Sequence, residues 1–171
     1  MLVRGFDPVA RPDAIALILG TIPGQESLAA GEYYANKANA FWFIMGELFG
    51  LGQGVTYQER IETLLRHRLA IWDVLRSAQR AGSSDSAIVP GTEEANDFDR
   101  FFRAHREVRS VFFNGKRAEK LYRVLVVPRL PSNGARPQMH QLPSTSPANT
   151  QMTKQEKLKR WHLVKDAVVD G

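Results

Sequence analysis

Short runs of apolar residues alternate with amphipathic segments along the whole chain. Residues 14–19 are all apolar and end at Gly20 and Pro23, which predicts a strand buried on both faces, as in a parallel sheet. Residues 111–113 and 139–142 predict two further strands. Residues 69–75 are apolar except for Asp73, and we interpret them as a strand that runs into a helix.

Helices are predicted between these strands. Apolar residues three and four positions apart indicate a helix over residues 41–49, and phenylalanines indicate another near residues 98–102. Thr56 and Glu59 have the spacing of a capping box, as do Thr153 and Glu156 before the last helix. The last helix should bury one apolar face and carry basic residues mostly on its other faces, the two sets being Leu158, Trp161, Val164 and Val168, and Lys157, Lys159 and Arg160.

This alternation predicts an α/β fold. We expect a single doubly wound domain over residues 1–171, with a central, mostly parallel four-stranded sheet flanked by helices. Ligands of such folds lie beyond the carboxyl ends of the strands. Three segments therefore matter most, namely a long polar loop over residues 20–39, the turn at Asn114 and the polar stretch at residues 143–150.

Composition narrows the possible chemistry. The chain has no cysteine, which excludes disulfides, thiolate nucleophiles and iron–sulfur clusters. Its four histidines show no metal-ligand spacing, so we expect neither a metal nor another cofactor. A net charge of +5 suits a polyanionic partner. The apolar runs are too short for a membrane span or a signal peptide, and we expect a cytoplasmic monomer without membrane contact.

The segment from residue 20 to residue 42 is the strongest candidate for a binding site. Residues 20–24 follow the first strand and offer backbone N–H groups to an anion or carbonyl, although an ordinary turn would look the same. Residues 33–42 mix aromatic rings with asparagine amides. Such rings can stack on a base while amides contact its edge or hold water, and a packed loop with satisfied asparagines is the alternative.

Three stretches of the chain together resemble a known family. They are Gly20-x-x-Pro23-Gly24-x-x-Ser27-Leu28 with Tyr33-Tyr34-Ala35-x-x-x-Asn39-x-Phe41-Trp42, then Phe113-Asn114-Gly115-Lys116-x-Ala118, and last Leu142-Pro143-Ser144-Thr145-Ser146-Pro147-Ala148-Asn149. In this order they are similar to the motifs of the mismatch-specific and hypoxanthine-DNA glycosylases of the uracil-DNA glycosylase superfamily. The resemblance spans nearly the whole chain.

One departure points to a branch of that family. Mismatch-specific relatives carry an asparagine directly before the Pro-Gly pair, where it positions water, and this chain has Ile22. In the hypoxanthine branch the important amide belongs to the Asn-x-Phe-Trp element, which implies that Asn39 is catalytic. The last motif also lacks the asparagine and histidine of other branches.

The resemblance implies roles for further residues. The base-binding set it suggests is Gly24, Tyr34, Asn114 and Ser144, with Tyr34 stacking on the base and Asn114 contacting its edge. The DNA-binding set it suggests is Ser27, Ser146, Pro147, Ala148 and Asn149. In the second set the serines would hold phosphates, and the last three residues would enter the duplex beside a flipped nucleotide.

The function expected from this resemblance is hydrolysis of the N-glycosidic bond of a flipped, deaminated base in DNA, with hypoxanthine first among the bases. Lys37 and Lys116 lie in loops that look wet, so a Schiff-base lyase is not expected. The alternatives are a uracil or mismatch thymine glycosylase and an inactive nucleic-acid-binding module of the same fold. A basic cluster at residues 154–160 could contact phosphates or simply be a solvated helix face.

Overall fold

A four-stranded parallel sheet forms the centre of the molecule, as the sequence predicts. The computed structural model describes residues 1–134 and 136–169. The strands of the sheet are β2 (Ala16–Gly20), β3 (Leu69–Asp73), β6 (Ser110–Asn114) and β7 (Gln138–Leu142), in the order β3-β2-β6-β7. All three neighbouring pairs are parallel, so the carboxyl ends of all four strands meet at one edge.

A second, antiparallel sheet was not predicted. It is built in the order β1-β4-β5 from β1 (Leu2–Arg4), β4 (Leu75–Gln79) and β5 (Glu94–Ala95). The expectation of a helix after the strand at residues 69–75 is therefore wrong. The chain passes from one sheet to the other at Val74, and Leu75 and Ser77 are buried while Arg76 between them is exposed. That period of two belongs to a strand with one wet face.

Six α-helices surround the sheets in the described part of the chain. Their bounds are α1 Gln25–Ala30, α2 Phe41–Phe49, α3 Tyr57–Arg66, α4 Phe98–Ala104, α5 Lys116–Leu121 and α6 Lys154–Val169. A π-helical turn (Tyr122–Val126) and a 3-10 turn (Val127–Arg129) extend α5, and another 3-10 turn spans Asp85–Ala87. Helix α2 has the predicted bounds, and both predicted capping boxes form.

The loop predicted over residues 20–39 contains helix α1, so that prediction is corrected. The helix begins after Gly24 and ends at Gly31, whose φ of 67° stops it after six residues. Such a short helix buries little and shows almost no apolar period, which is why the sequence pattern missed it.

The core lies on both faces of the central sheet. In β2, Leu17 and Leu19 contact one apolar cluster, while Ala16 and Ile18 contact the other. This alternation explains why the run is apolar throughout. No helix among the described residues is long and apolar enough to cross a membrane.

Helix α6 packs on the sheet with Trp161 and Val164 fully buried, as predicted. Lys157 contradicts its predicted place on an outer face, since only 5% of it is exposed. Its ammonium group points toward backbone carbonyls of residues 146 and 149, so the burial is hydrogen-bonded.

Candidate active site

A cavity of about 590 Å³ opens at the carboxyl ends of the parallel strands. Its wall includes residues 20–24, which follow β2, together with Asp73 of β3 and Asn114 of β6. Every residue that the family motifs nominated for catalysis, base binding or DNA binding lies on this wall, and the set is Gly24, Ser27, Tyr34, Asn39, Asn114, Ser144, Ser146, Pro147, Ala148 and Asn149. The fold thus brings together three segments far apart in sequence.

Asn39 lies just before helix α2. Its side-chain oxygen accepts a hydrogen bond from the backbone N–H of Phe41 at 2.9 Å, which satisfies one of the free donors at the start of the helix. Within the part of the chain that the structure describes, its Nδ2 has no hydrogen-bond partner. The half-buried residue therefore has a fixed orientation and a donor left for a ligand in the cavity.

The aromatic stretch before α2 is divided between core and cavity. Tyr33 and Phe41 are buried, and the Tyr33 hydroxyl donates to the carbonyl of Asp7, so these two rings fit the packed-loop interpretation. Tyr34 is partly exposed and lines the cavity. Its ring stacks on Phe41 at a centroid distance of 3.9 Å, which leaves at most one face for a base.

Asn114 connects the ends of two neighbouring segments. Its Nδ2 donates to the hydroxyls of Tyr34 (3.3 Å) and Thr145 (2.9 Å), while its Oδ1 accepts from the backbone N–H of Thr145 (2.9 Å). Both amide hydrogens are therefore used inside the protein, and a remaining lone pair on the oxygen is what it could offer to a base edge.

The loop at residues 143–150 is held at several points. Asn149 donates from its side chain to the carbonyl of Ser144, and buried Lys157 donates to the carbonyls of Ser146 (3.4 Å) and Asn149 (3.0 Å). The Trp161 indole donates to the carbonyl of residue 143 at 2.9 Å. Residues 147 and 148 are exposed at the tip, so an anchored loop presents a small apolar wedge to solvent.

The predicted serines and glycine are mostly engaged locally. Ser27 is buried, and its hydroxyl accepts from the backbone N–H of Ala35. The hydroxyls of Ser144 and Ser146 each accept from the backbone N–H two residues further on, so they stiffen the loop. Gly24 precedes α1 beside Ser83, in an extended conformation that leaves its backbone on the cavity wall.

An acidic group lies in the floor of the cavity. Asp73 ends β3 with 5% of its surface exposed, and its Oδ2 is buried without a partner in the described chain. Burial, followed by the negative charge of Asp85, raises its pKa to about 7, against a smaller opposite effect of Arg80. Burial also raises the pKa of Asp85, although a hydrogen bond from Thr21 acts in the opposite direction.

Comparisons with known proteins bear on this arrangement. The family model described as "Uracil DNA glycosylase superfamily" matches residues 8–167. The chain belongs to the uracil DNA glycosylase superfamily. The family expected from the three motifs is thereby confirmed, as is the fold expected from the alternation of strands and helices.

Relatives within the superfamily include two archaeal proteins named hypoxanthine DNA glycosylase. The one from Methanosarcina acetivorans is 34% identical over 165 residues, 96% of this chain and 98% of its own. The one from Methanosarcina barkeri is 35% identical over 119 residues, 69% of this chain and 74% of its own. A solution NMR structure from Methanosarcina acetivorans, described as a candidate uracil DNA glycosylase, has a TM-score of 0.79, 30% identity and 99% coverage of both chains.

Ile22, the departure from mismatch-specific members of the superfamily, is 7% exposed and belongs to the apolar core, although it also touches the cavity. An apolar side chain at this point suits its packing and cannot hold water. Further along the same segment of this uracil DNA glycosylase superfamily member, Asn39 places an amide on the cavity wall.

Sequence reasoning missed one side of this superfamily member's cavity. That side is lined by Asp73, by Asp85 and by three serines, Ser83, Ser84 and Ser86. A signal was present, because Asp73 interrupts the apolar run at residues 69–75 at the point where a parallel strand should end. Among the described residues, no group of three or more His, Asp or Glu side chains is placed to hold a metal ion.

Proposed function

We propose that this chain is a monofunctional DNA glycosylase that hydrolyses the N-glycosidic bond of hypoxanthine in DNA, working as a single-domain, intracellular monomer. The observation that carries the proposal is the placing of Asn39, with an uncommitted amide nitrogen, on a cavity that holds all three motif segments. The names of the two Methanosarcina relatives support hypoxanthine as the base.

The cavity suits glycosidic cleavage, because that reaction passes through an oxocarbenium-like sugar. Such a reaction needs a flipped nucleotide, a stabilised leaving base and a held water rather than a strong nucleophile. Asn39 supplies the amide that contacts the base or orients the water. Tyr34 provides one wall, and the amide group of Asn114 keeps that wall and the opposite loop in place.

The loop at residues 143–150 would contact the DNA duplex. Its exposed tip, Pro147 and Ala148, is small and apolar, and would fill the gap left by the flipped nucleotide. Because Lys157 and Asn149 anchor the loop from inside, the wedge is preorganised. Lys37 and Lys116 are exposed and do not line the cavity, which favours a water mechanism over a Schiff base.

The decisive experiment is a substrate panel. Oligonucleotides that carry hypoxanthine, uracil, xanthine or a thymine mismatch are incubated with the protein, treated with alkali and resolved on a gel. We expect cleavage at hypoxanthine, lost in Asn39→Ala. Preferred cleavage at uracil, which the description of the NMR neighbour would suggest, would reassign the base. Binding without cleavage of any oligonucleotide would indicate that the chain is an inactive DNA-binding module.

A further inference from the structure

The Asp73 carboxyl is buried and faces the cavity, and one of its oxygens has no hydrogen-bond partner among the described residues. Asp73 pairs in register with Gly20 of the neighbouring strand β2. A Cβ on Gly20 would lie 2.5 Å from Asp73 Oδ1 and 3.1 Å from the Tyr34 hydroxyl, so the glycine leaves the space that both side chains occupy. The carboxyl therefore lies directly beside Tyr34, in the floor of the cavity.

Burial, more than the surrounding charges, raises the pKa of this carboxyl and so favours its protonated form. Asp85, from the 3-10 turn, is a like charge that raises the pKa of Asp73, and Arg80 at the end of β4 lowers it less than burial raises it. Arg80 donates to the carbonyls of Gly82 and Pro23 through Nε and Nη2, and its Nη1 has no hydrogen-bond partner among the described residues. Tyr33 and Tyr34 face Asp73, and burial raises their pKa values so that both stay neutral. Asp73 consequently holds a proton for a large part of the time at neutral pH, with a pKa of about 7.

A purine base leaves a sugar more readily when one of its ring nitrogens is protonated, because the departing base then carries no negative charge. N3 and N7 are the ring nitrogens of hypoxanthine that accept a proton while N9 is bonded to the sugar. We propose that Asp73 is the general acid of this enzyme and donates its proton to a ring nitrogen of a purine base in the cavity. This inference rests on the proposed function. It restricts the bases that the enzyme can release in this way to purines.

The proposed reaction conserves atoms and protons. The proton moves from Asp73 to the ring nitrogen, the C1′–N9 bond breaks, and its electron pair remains on the base, which leaves neutral. Water adds its oxygen to C1′ and releases one proton to the solvent, from which Asp73 is reprotonated. General acids work best when their pKa lies near the working pH, a condition that Asp73 meets.

The test compares single-turnover release of hypoxanthine at pH 6 to 9 by the parent and by Asp73→Asn, which keeps a hydrogen-bond donor and cannot transfer a proton. Asp99→Asn on the surface makes the same chemical change far from the cavity and serves as the control. We expect the parent rate to fall about tenfold per pH unit above pH 7. Asp73→Asn should be at least tenfold slower at pH 6 and independent of pH, and Asp99→Asn should match the parent.

A second measurement needs no variant. Oligonucleotides with 3-deaza- or 7-deazahypoxanthine lack one acceptor nitrogen each. The analogue that lacks the nitrogen protonated by Asp73 should be released at a rate that does not fall above pH 7. Equal pH dependence for hypoxanthine and both analogues would overturn the inference, as would an Asp73→Asn variant that keeps the parent's pH profile at any overall rate. These results leave the proposed function intact, whereas a parent that releases no base from any oligonucleotide overturns both.

Discussion

At Asn39 a single side chain supports the fold with its oxygen and faces the cavity with its nitrogen. The oxygen accepts from the N–H of Phe41 at the start of α2. Ordering this side chain costs little free energy, because the hydrogen bond that orients it also stabilises the start of the helix. The sequence could nominate Asn39 from a motif, but the double role is visible only once the helix start is known.

We predict that Asn39→Ala slows base release at least about a hundredfold, as removal of one positioned polar group does. It should lower the free energy of unfolding by about 1 kcal/mol, because the backbone N–H of Phe41 at the start of α2 loses its acceptor. Asn39→Asp keeps an oxygen for Phe41 and should retain the parent's stability. Single-turnover kinetics and urea unfolding measure the two effects, and an Ala variant that unfolds outright would make the residue structural.

The pKa of Asp73 has a consequence for stability. Burial raises this pKa from 3.8 to about 7, so the folded protein holds a proton that the unfolded chain releases between pH 4 and 7. The contribution of Asp73 to the free energy of unfolding therefore falls as the pH rises from 4 to 7.

We predict that Asp73→Asn, which cannot ionise, gains stability relative to the parent as the pH rises from 4.5 to 8. Since a tenfold change in proton affinity is worth about 1.4 kcal/mol, the gain amounts to a few kcal/mol at most. Urea unfolding of both proteins at the two pH values measures it. A constant difference between them would mean that Asp73 does not titrate as described.

Among the elements, the loop at residues 143–150 depends on a lysine from α6. Lys157 is buried, and burial lowers its pKa while the carbonyls of Ser146 and Asn149 accept from its ammonium group. The helical pattern placed it on a wet face because a lysine adds nothing to an apolar stripe. Lys159, two residues on, is exposed and is its natural control.

We predict that Lys157→Met loosens the loop, costs about 1 to 3 kcal/mol of stability by leaving carbonyls unsatisfied, and slows base release. The salt dependence of DNA binding should stay the same. Lys159→Met should instead keep stability and lower the salt slope by about one counterion. Fluorescence anisotropy at several salt concentrations separates the two variants. Identical slopes for Lys159→Met and the parent would place α6 away from the phosphates.

The helices and strands differ in how well the sequence predicted them. Capping boxes at Thr56 and Thr153 are local signals, and both form. Strand β4 was missed because its first residue continues an apolar run, and its partners β1 and β5 are too short to show a pattern. Sheet pairing between segments so far apart depends on tertiary contacts, which local periodicity does not contain.

At the scale of the whole molecule, the parallel sheet explains both the success and the gap in predicting the site. Loops that follow β2, β6 and β7 were expected to converge, and they do. Asp73, at the carboxyl end of the remaining strand β3, lies at the same edge of the sheet, but its run was interpreted as entering a helix, and no family motif included it. Burial and an unpartnered oxygen, which single it out, are properties of the folded chain.

We predict that binding to DNA weakens steeply as salt rises, because a chain of net charge +5 gains affinity by releasing counterions from phosphates. Titration of one labelled duplex at 50 to 200 mM salt gives the slope. An affinity that stays flat over this range would contradict phosphate contacts as the main source of binding.

We also predict that base release is unchanged in EDTA, since the chemistry proposed for Asn39 and water requires no metal. Parallel single-turnover reactions with and without chelator give the answer. Loss of activity that one divalent ion restores would overturn the metal-free mechanism.

The absence of space above Gly20 also limits how this cavity can evolve. The Cβ of any side chain at position 20 would lie 2.5 Å from Oδ1 of Asp73. The residues allowed at positions 20 and 73 therefore depend on each other. An alanine at position 20 would require the carboxyl at position 73 to shift or to be replaced by a smaller side chain. Laboratory libraries that randomise both positions should therefore return folded proteins in which a side chain at position 20 accompanies a smaller residue at position 73, and these proteins should release base slowly because Asp73 is lost. Libraries that vary position 20 alone should return glycine.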